Sequence, residues 1–201
     1  GPAAPKEPIH AGWGGAVYVK ETTKRGAQLT LMAGKVACEP DLPEHIGATK
    51  PTNNAGELTA IIKMCKAVEE VFQPGDTAEI QTDSIVALLA AIGAVPRNKR
   101  KKKKGGNTDP NRILKIKARE TYKNLQRKTR HAVQIKKIKA HAGNAWNEVA
   151  DALAAVGRQQ AHSKEGHAPN TAELNDRVQR AIAAEGPSTT PALAMRGLRW
   201  G

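Results

Sequence analysis

Three acidic residues from widely separated segments, Glu57, Asp83 and Asp151, are the first candidates for chemistry. Carboxylate oxygens are the hard ligands that Mg²⁺ prefers, and one or two carboxylates per ion leave room for water and phosphate oxygens. Two such ions about 4 Å apart activate a water molecule and stabilise the leaving oxygen in phosphodiester hydrolysis. His141, in the segment just before Asp151, adds an imidazole to the set. The three carboxylates therefore form a candidate set for metal-assisted hydrolysis, and His141 is a further candidate beside them.

Each of these residues also has a purely structural interpretation. Glu57, in the first turn of a predicted helix, can interact with the helix dipole, and Asp83 can cap the helix that follows it. Asp151 suits the exposed face of a helix, and His141 can be an ordinary loop histidine. Spacing alone leaves the catalytic and the structural interpretations open.

The predicted elements place the acidic residues on helices and at the end of a strand. Alternating or β-rich residues predict strands, and apolar residues at three- and four-residue steps predict helices. This order indicates a mixed α/β architecture, in which sites form beyond the carboxyl ends of strands. The predicted order is strand 12–21, strand 27–37, a helix from about residue 55 to the "QPGD" stop, strand 77–83, helix 84–95, helix 110–128, strand 131–140, helix 144–160 and helix 171–185.

The chain is predicted to hold one domain with appendages. Residues 1–11 form an N-terminal tail, residues 12–160 the domain, and residues 161–201 a C-terminal extension. The low-complexity basic stretch at 97–109 is predicted to protrude into solvent. No apolar run is long enough to cross a membrane, and the two cysteines match no metal-ligand spacing. We expect a soluble intracellular protein, with organellar, nuclear and cytoplasmic compartments not distinguished.

Positive charge is concentrated in one part of the chain. Residues 97–139 hold eighteen Lys and Arg against two acidic residues, a net charge of +16, whereas the whole chain carries +13. Such a density favours a polyanionic partner, and nucleic acid above all. Aromatic residues make up only 3% of the chain, which argues for recognition of backbone and shape rather than base stacking.

Three motifs, in this order, resemble type 1 ribonuclease H, including its retroelement relatives. They are "TNNAGELTAI" at 52–61, "QTDSIVALL" at 81–89 and "IKKIKAHAGNAWNEVADALA" at 135–154. The resemblance covers roughly residues 11–160. It implies an RNase H-like mixed sheet flanked by helices.

The resemblance also implies roles for particular residues. Glu57, Asp83 and Asp151 match the carboxylates that bind two Mg²⁺ in that family. His141 matches a histidine on a flexible loop that assists proton transfer or product departure. Together these four residues would act on an RNA strand.

Substrate recognition is implied at two further places. Asn53 and Asn54 match residues that touch the minor groove of an RNA/DNA hybrid, and their alternative role is to cap the first helix. The basic stretch occupies the place of a substrate-gripping protrusion in several family members. The candidates for contact with phosphate groups are Arg97, Lys99, Arg100, Lys101, Lys102, Lys103, Lys104, Arg112, Lys115 and Lys123.

The sequence departs from the family at its first strand. In the family, that strand carries a further catalytic aspartate in a "TDGS"-like stretch. Residues 1–11 supply neither such a strand nor the aspartate. An upstream segment or another chain would have to provide the strand. Whether the chain is an enzyme therefore stays open.

Two main functions remain. The first is Mg²⁺-dependent endonucleolytic hydrolysis of the RNA strand of RNA/DNA hybrids, if the missing aspartate arrives from outside this chain. The second is a catalytically inactive RNA-binding subunit of a ribonucleoprotein, such as a mitochondrial ribosome. A DNA-processing nuclease on the same fold is a third.

Overall fold

The described part of the chain is a mixed α/β structure, which confirms the fold class expected from the sequence. The computed structural model describes residues 10–94, 109–162, 171–186 and 190–197. Its elements are β1 (Gly12–Val19), β2 (Gln28–Lys35), α1 (Asn53–Val71), β3 (Ala78–Thr82), α2 (Ile85–Ile92), α3 (Arg112–Lys128), β4 (Val133–Lys137), α4 (Ala145–His162), α5 (Ala172–Ala184) and β5 (Ala192–Arg196). Among the described helices, none combines the length and apolar character needed to cross a bilayer.

The first two strands form the expected hairpin. β1 and β2 pair antiparallel from Gly12 opposite Lys35 to Val19 opposite Gln28. In the turn, the backbone N–H of Thr22 donates to the carbonyl of Arg25 at 2.8 Å. The other edge of β2 pairs with β5 in parallel. β2 is therefore paired on both edges, whereas β1 pairs with β2 alone among the described strands.

The remaining two strands form a separate sheet. β3 and β4 pair in parallel, from Ala78 opposite Val133 to Thr82 opposite Lys137. The described strands therefore form two sheets, ordered β1-β2-β5 and β3-β4. No strand among the described residues lies between β1 and β3.

Helices α1 and α4 cover opposite faces of β1, because successive residues of a strand point to opposite faces. A Cβ built at Gly14 would lie 2.4 Å from the backbone nitrogen of Ala154 in α4. A Cβ built at Gly15 would lie 2.6 Å from Sδ of Met64 in α1. Glycine in β1 thus lets the α4 backbone approach the strand directly.

Two apolar clusters hold these layers together. One joins α1, α2 and α3 to β3 and β4, with Leu58, Ile62 and Leu114 among its fully buried side chains. The other packs α4 and α5 against β2 through residues such as Leu153 and Leu174. The acidic candidates thus sit on elements fixed by buried contacts.

Some predicted boundaries change in the structure. The helix expected at 84–95 ends at Ile92, because Gly93 takes the left-handed backbone conformation with φ 72° and closes the last turn. The strand expected at 131–140 is shorter and spans Val133–Lys137. Strand β5 lies in a tail whose Pro, Ser and Thr content predicted no strand. The basic candidates Arg97, Lys99, Arg100, Lys101, Lys102, Lys103 and Lys104 lie outside the described residues.

Candidate active site

The four predicted catalytic residues line one cavity. Its volume is about 1180 Å³, and Glu57, Asp83, His141 and Asp151 all contribute to its wall. They come from α1, from the end of β3, from the loop before α4 and from α4 itself. We call Glu57, Asp83 and Asp151 the acidic cluster, because a chain of contacts described below connects them.

Asp83 follows directly after the last residue of β3. Asn147 Nδ2, on α4, donates a hydrogen bond to Asp83 Oδ2 at 3.1 Å. Asp83 does not cap α2, contrary to the structural interpretation, because the Ser84 hydroxyl takes that role and accepts from the N–H of Ala87 at 3.1 Å. The Asp83 carboxylate is therefore not used by the helix and stays in the cavity wall.

Glu57 lies one turn inside α1 rather than in its first turn, where the sequence placed it. The helix begins at Asn53, and its first turn holds no acidic residue. The Ser84 hydroxyl donates a hydrogen bond to Glu57 Oε2. Ser84 is 5% exposed, so this single hydroxyl fixes Glu57 beside the segment that carries Asp83.

The surroundings of Asp151 raise the pKa of its carboxyl group. The largest cause is desolvation by the atoms packed around the carboxyl group, although Asp151 as a whole residue is exposed. The second cause is the negative charge of Asp83. His141 and Arg177 oppose this effect by attraction. Asp83 and Asp151 thus repel each other across the cavity, a repulsion that a bound cation or proton would relieve.

His141 is an exposed residue of the loop that leads into α4. Its φ of 51° lies in the left-handed region, as does that of Gly143 at 77°. Asn144 then caps the helix, because its side-chain oxygen accepts from the N–H of Asn147 at 3.0 Å. The loop therefore holds the imidazole in solvent while α4 begins beneath it, within electrostatic range of Asp151.

The donor chemistry of the acidic cluster suits a hard divalent cation. Its members offer carboxylate oxygens, and two of them repel each other in the absence of a cation. Within the described ranges, however, no three His, Cys, Asp or Glu side chains are arranged to hold a metal ion as they stand. The set therefore fits Mg²⁺ by chemistry but needs a side-chain adjustment, a further ligand, or both.

The predicted nucleic-acid contacts divide between the cavity and the surface. Asn53 and Asn54 are the exposed first residues of α1, and Asn53 also lines the cavity. Neither is the capping residue, since Thr52 Oγ1 accepts from the N–H of Ala55 at 3.1 Å. Their expected capping role is therefore wrong, and their amides remain available to a ligand.

Helix α3 buries only Leu114, Ala118 and Leu125 and presents a basic outer surface. Arg112 and Lys123 are exposed, whereas Lys115 forms a salt bridge with Asp109. The helix packs against α1 and α2 and contributes no residue to the cavity wall. Any contact that α3 makes with nucleic acid therefore lies away from the acidic cluster.

Sequence reasoning missed three residues that shape the site: Ser84, Asn147 and Arg177. Asn147 could have been noticed, because it precedes Asp151 by four residues and so shares its face of α4. Arg177, on α5, donates to the backbone carbonyl of Glu148 at 2.8 Å. Its approach to α4 could not have been predicted, because it depends on how α5 packs.

These features define a mixed α/β domain with carboxylates gathered beyond the end of a strand. A family model described as RNase H matches residues 15–159, and the chain belongs to the RNase H family. The match ends within α4, so α5 and β5 lie beyond it.

The chain is also similar to curated proteins named ribonuclease H from several strains of Coxiella burnetii. The identity is 32% over 111 residues, which is 55% of this chain and 66% of the relatives' length. No solved structure matches the chain.

Proposed function

We propose that the protein hydrolyses the RNA strand of RNA/DNA hybrids in the presence of Mg²⁺, once a carboxylate from outside these 201 residues completes the acidic cluster. The observation that carries the proposal is that Glu57, Asp83, His141 and Asp151, from four segments, line one cavity. Membership of the RNase H family and similarity to proteins named ribonuclease H support it.

The acidic cluster would hold the metal. Bound Mg²⁺ would lower the pKa of a coordinated water and stabilise charge on the leaving oxygen. Ser84 holds Glu57, and Asn147 holds Asp83, so two of the three carboxylates are oriented by a neighbouring donor. Such donors position ligands and reduce the rearrangement needed when a cation binds.

The remaining residues act on the substrate. His141 lies on an exposed loop within electrostatic range of Asp151, and in this proposal it would exchange a proton with the leaving oxygen. The amide of Asn53 can both donate to and accept from a 2′-hydroxyl, the group that distinguishes RNA from DNA. The basic surface of α3, with Arg112 and Lys123, can contact the phosphate backbone further away.

The test uses the chain captured from its native source, so that whatever supplies the further carboxylate is retained. Cleavage of labelled RNA is measured in a hybrid and in double-stranded RNA with Mg²⁺. We expect cleavage in the hybrid only, and a loss of about 10²-fold or more in Asp83→Asn. The control Asp176→Asn replaces an exposed aspartate of α5 and should retain full activity. Equal cleavage by Asp83→Asn would rule out this site.

One observation favours a second function, an RNA-binding subunit of a ribonucleoprotein without activity. Helix α3 presents a basic surface and contributes no residue to the cavity wall, so RNA binding there does not need the acidic cluster. In that case the captured chain should sediment with a large RNA-containing particle, for example a mitochondrial ribosome, and Glu57→Gln should leave that behaviour unchanged. A captured chain that sediments alone and cuts hybrids would exclude this function.

A further inference from the structure

The loop that leads from β4 into α4 carries His141. We call residues 138–144 the His141 loop. Residues 139–143 are all exposed, and the φ of His141 is 51°. This left-handed region is unfavourable for a residue with a Cβ atom, and such a conformation persists where its surroundings hold it. Because the middle of the loop is exposed, the contacts that fix this conformation lie at its two ends.

Both ends of the loop are attached to the end of β3. At the first end, the backbone N–H of Ile138 donates to the carbonyl of Thr82 at 2.9 Å. This bond continues the pairing of β3 with β4. At the second end, Asn144 Nδ2 donates to Gln81 Oε1 at 2.9 Å. These two β3 residues come just before Asp83, so the strand that leads into the acidic cluster is also where the loop is attached.

The cap of α4 uses only half of the Asn144 side chain. Its Oδ1 accepts from the N–H of Asn147 at 3.0 Å, and Ser, Thr or Asp could supply such an acceptor equally well. The amide nitrogen is not needed for the cap, and this is the atom that bonds to Gln81. Gln81 Nε2 donates to Glu79 Oε1 at 2.7 Å, which leaves the amide oxygen of Gln81 to Asn144. We call Gln81 and Asn144 the amide pair, a contact beyond what helix formation requires.

We propose that Gln81 and Asn144 are positioning residues, whose side-chain hydrogen bond keeps His141 at the cavity wall. This inference rests on the proposed function, because it concerns how His141 reaches the leaving oxygen. Without the bond, the cap still begins α4, but only the first end of the loop stays attached to β3. His141 then samples more orientations and spends less time near the substrate.

The amide pair acts on the histidine and not on the ligands of the cation. Asp83 accepts a hydrogen bond from Asn147, and Glu57 accepts one from Ser84. Neither carboxylate is therefore held by the amide pair. An interaction that acts only on the chemical step changes kcat, whereas substrate binding sets KM when chemistry is slow. Loss of the bond is expected to lower kcat and to leave KM nearly unchanged.

Two variants remove the bond and keep the cap. Gln81→Met retains the length of the side chain but lacks the amide oxygen. Asn144→Ser retains a good capping oxygen but lacks the amide nitrogen. Gln81→Glu is the conservative variant, because its carboxylate still accepts from Asn144. The matched control is Gln134→Met, the same exchange at an exposed position of β4.

The first measurement needs no cleavage. Nitrogen-15 relaxation of the full chain gives the order parameters of the His141 and Gly143 amides. We expect these order parameters to fall towards about 0.6, the range of flexible backbone, in Gln81→Met and in Asn144→Ser. They should keep the value of the unaltered chain in Gln81→Glu and in Gln134→Met. The amides of β2, which is paired on both edges, report whether each variant is folded.

The second measurement is cleavage of the RNA strand of a hybrid with Mg²⁺, by the chain captured from its native source. Gln81→Met should lower kcat about threefold to tenfold, as expected for the loss of one hydrogen bond, and should change KM less than about twofold. In the His141→Gln background, the same substitution should have no further effect, because it acts through that histidine.

Three results would overturn the inference. The first is unchanged order parameters in both Gln81→Met and Asn144→Ser. The second is an equal fall in the control Gln134→Met. The third is a loss of kcat that persists in the His141→Gln background, which would give the amide pair a merely structural role. A captured chain that cuts no hybrid would instead refute the proposed function, and the order parameters would still decide whether the amide pair holds the loop.

Discussion

Replacing Asp151 with Asn is expected to stabilise the metal-free protein at neutral pH. The pKa of Asp151 is raised, first by desolvation of its carboxyl group and then by the charge of Asp83. A carboxyl group with a raised pKa binds its proton more tightly in the folded than in the unfolded chain, so stability falls as the pH rises through that pKa. An asparagine carries no charge and removes this unfavourable contribution.

The size of the effect follows from the position of Asp151 at the protein surface. Solvent screening limits an exposed pair of charges to about 0.2–1 kcal/mol. In a domain of this size, about 1 kcal/mol shifts the Tm by roughly 2–4 °C. We therefore expect Asp151→Asn to raise the Tm by up to about 4 °C near pH 7. Well below the ordinary carboxyl pKa of about 3.9, the residue is protonated in both states and the gain should vanish.

Thermal unfolding followed by circular dichroism, with a chelator present, measures this gain across the pH range. Asp176→Asn is the control, since it removes the same charge from an exposed helical position outside the cavity. If Asp83 and Asp151 repel each other, the double variant Asp83→Asn/Asp151→Asn should gain less stability than the sum of the gains in Asp83→Asn and Asp151→Asn. The reasoning fails if the gain persists in acid, if Asp176→Asn shows the same gain, or if the two single effects add.

Two further outcomes can be checked on the same protein. Ser84→Ala removes both the cap of α2 and the hydroxyl that holds Glu57, so it should lower the free energy of unfolding by about 0.5–2 kcal/mol. The control Thr171→Ala, at the start of α5 where no side chain caps the helix, should lower it little. Equal losses in denaturant titrations of the two variants would count against the role of Ser84. If α3 contacts phosphates, Arg112→Gln and Lys123→Gln should each reduce the slope of log RNA affinity against log salt concentration by about 0.7–0.9. The control Lys24→Gln, in the β1–β2 turn, should leave this slope unchanged. Equal slopes in all three variants would show that α3 is not part of the interface.

The elements predicted from the sequence are those whose residues interact locally. Apolar positions such as Leu58 and Cys65 recur at helical spacing, and both are buried in α1. Asp83 was expected after a strand because the switch from β-rich to helical residues occurs there. These patterns depend on residues only a few positions apart, so they can be recognised in a single sequence.

The contacts that shape the site depend on distant partners and could not be predicted in that way. Asn147 and Asp83 are 64 residues apart, and β5 pairs with a strand more than 150 residues before it. The cap of α2 shows the same limit. Asp83 and Ser84 are both good capping residues, and the fold selects Ser84, which also donates to Glu57.

Which strand edges are paired and which are not connects the site with the rest of the fold. An exposed strand edge invites pairing with other chains, and proteins usually cover or disrupt it. Strand β5 covers the outer edge of β2, and α5, which precedes β5, places Arg177 against α4 beside the acidic cluster. Residues of β1 and β3 instead line a cavity whose wall includes Glu57, Asp83 and Asp151. A further carboxylate that enters this cavity would therefore meet the same wall that carries the other three.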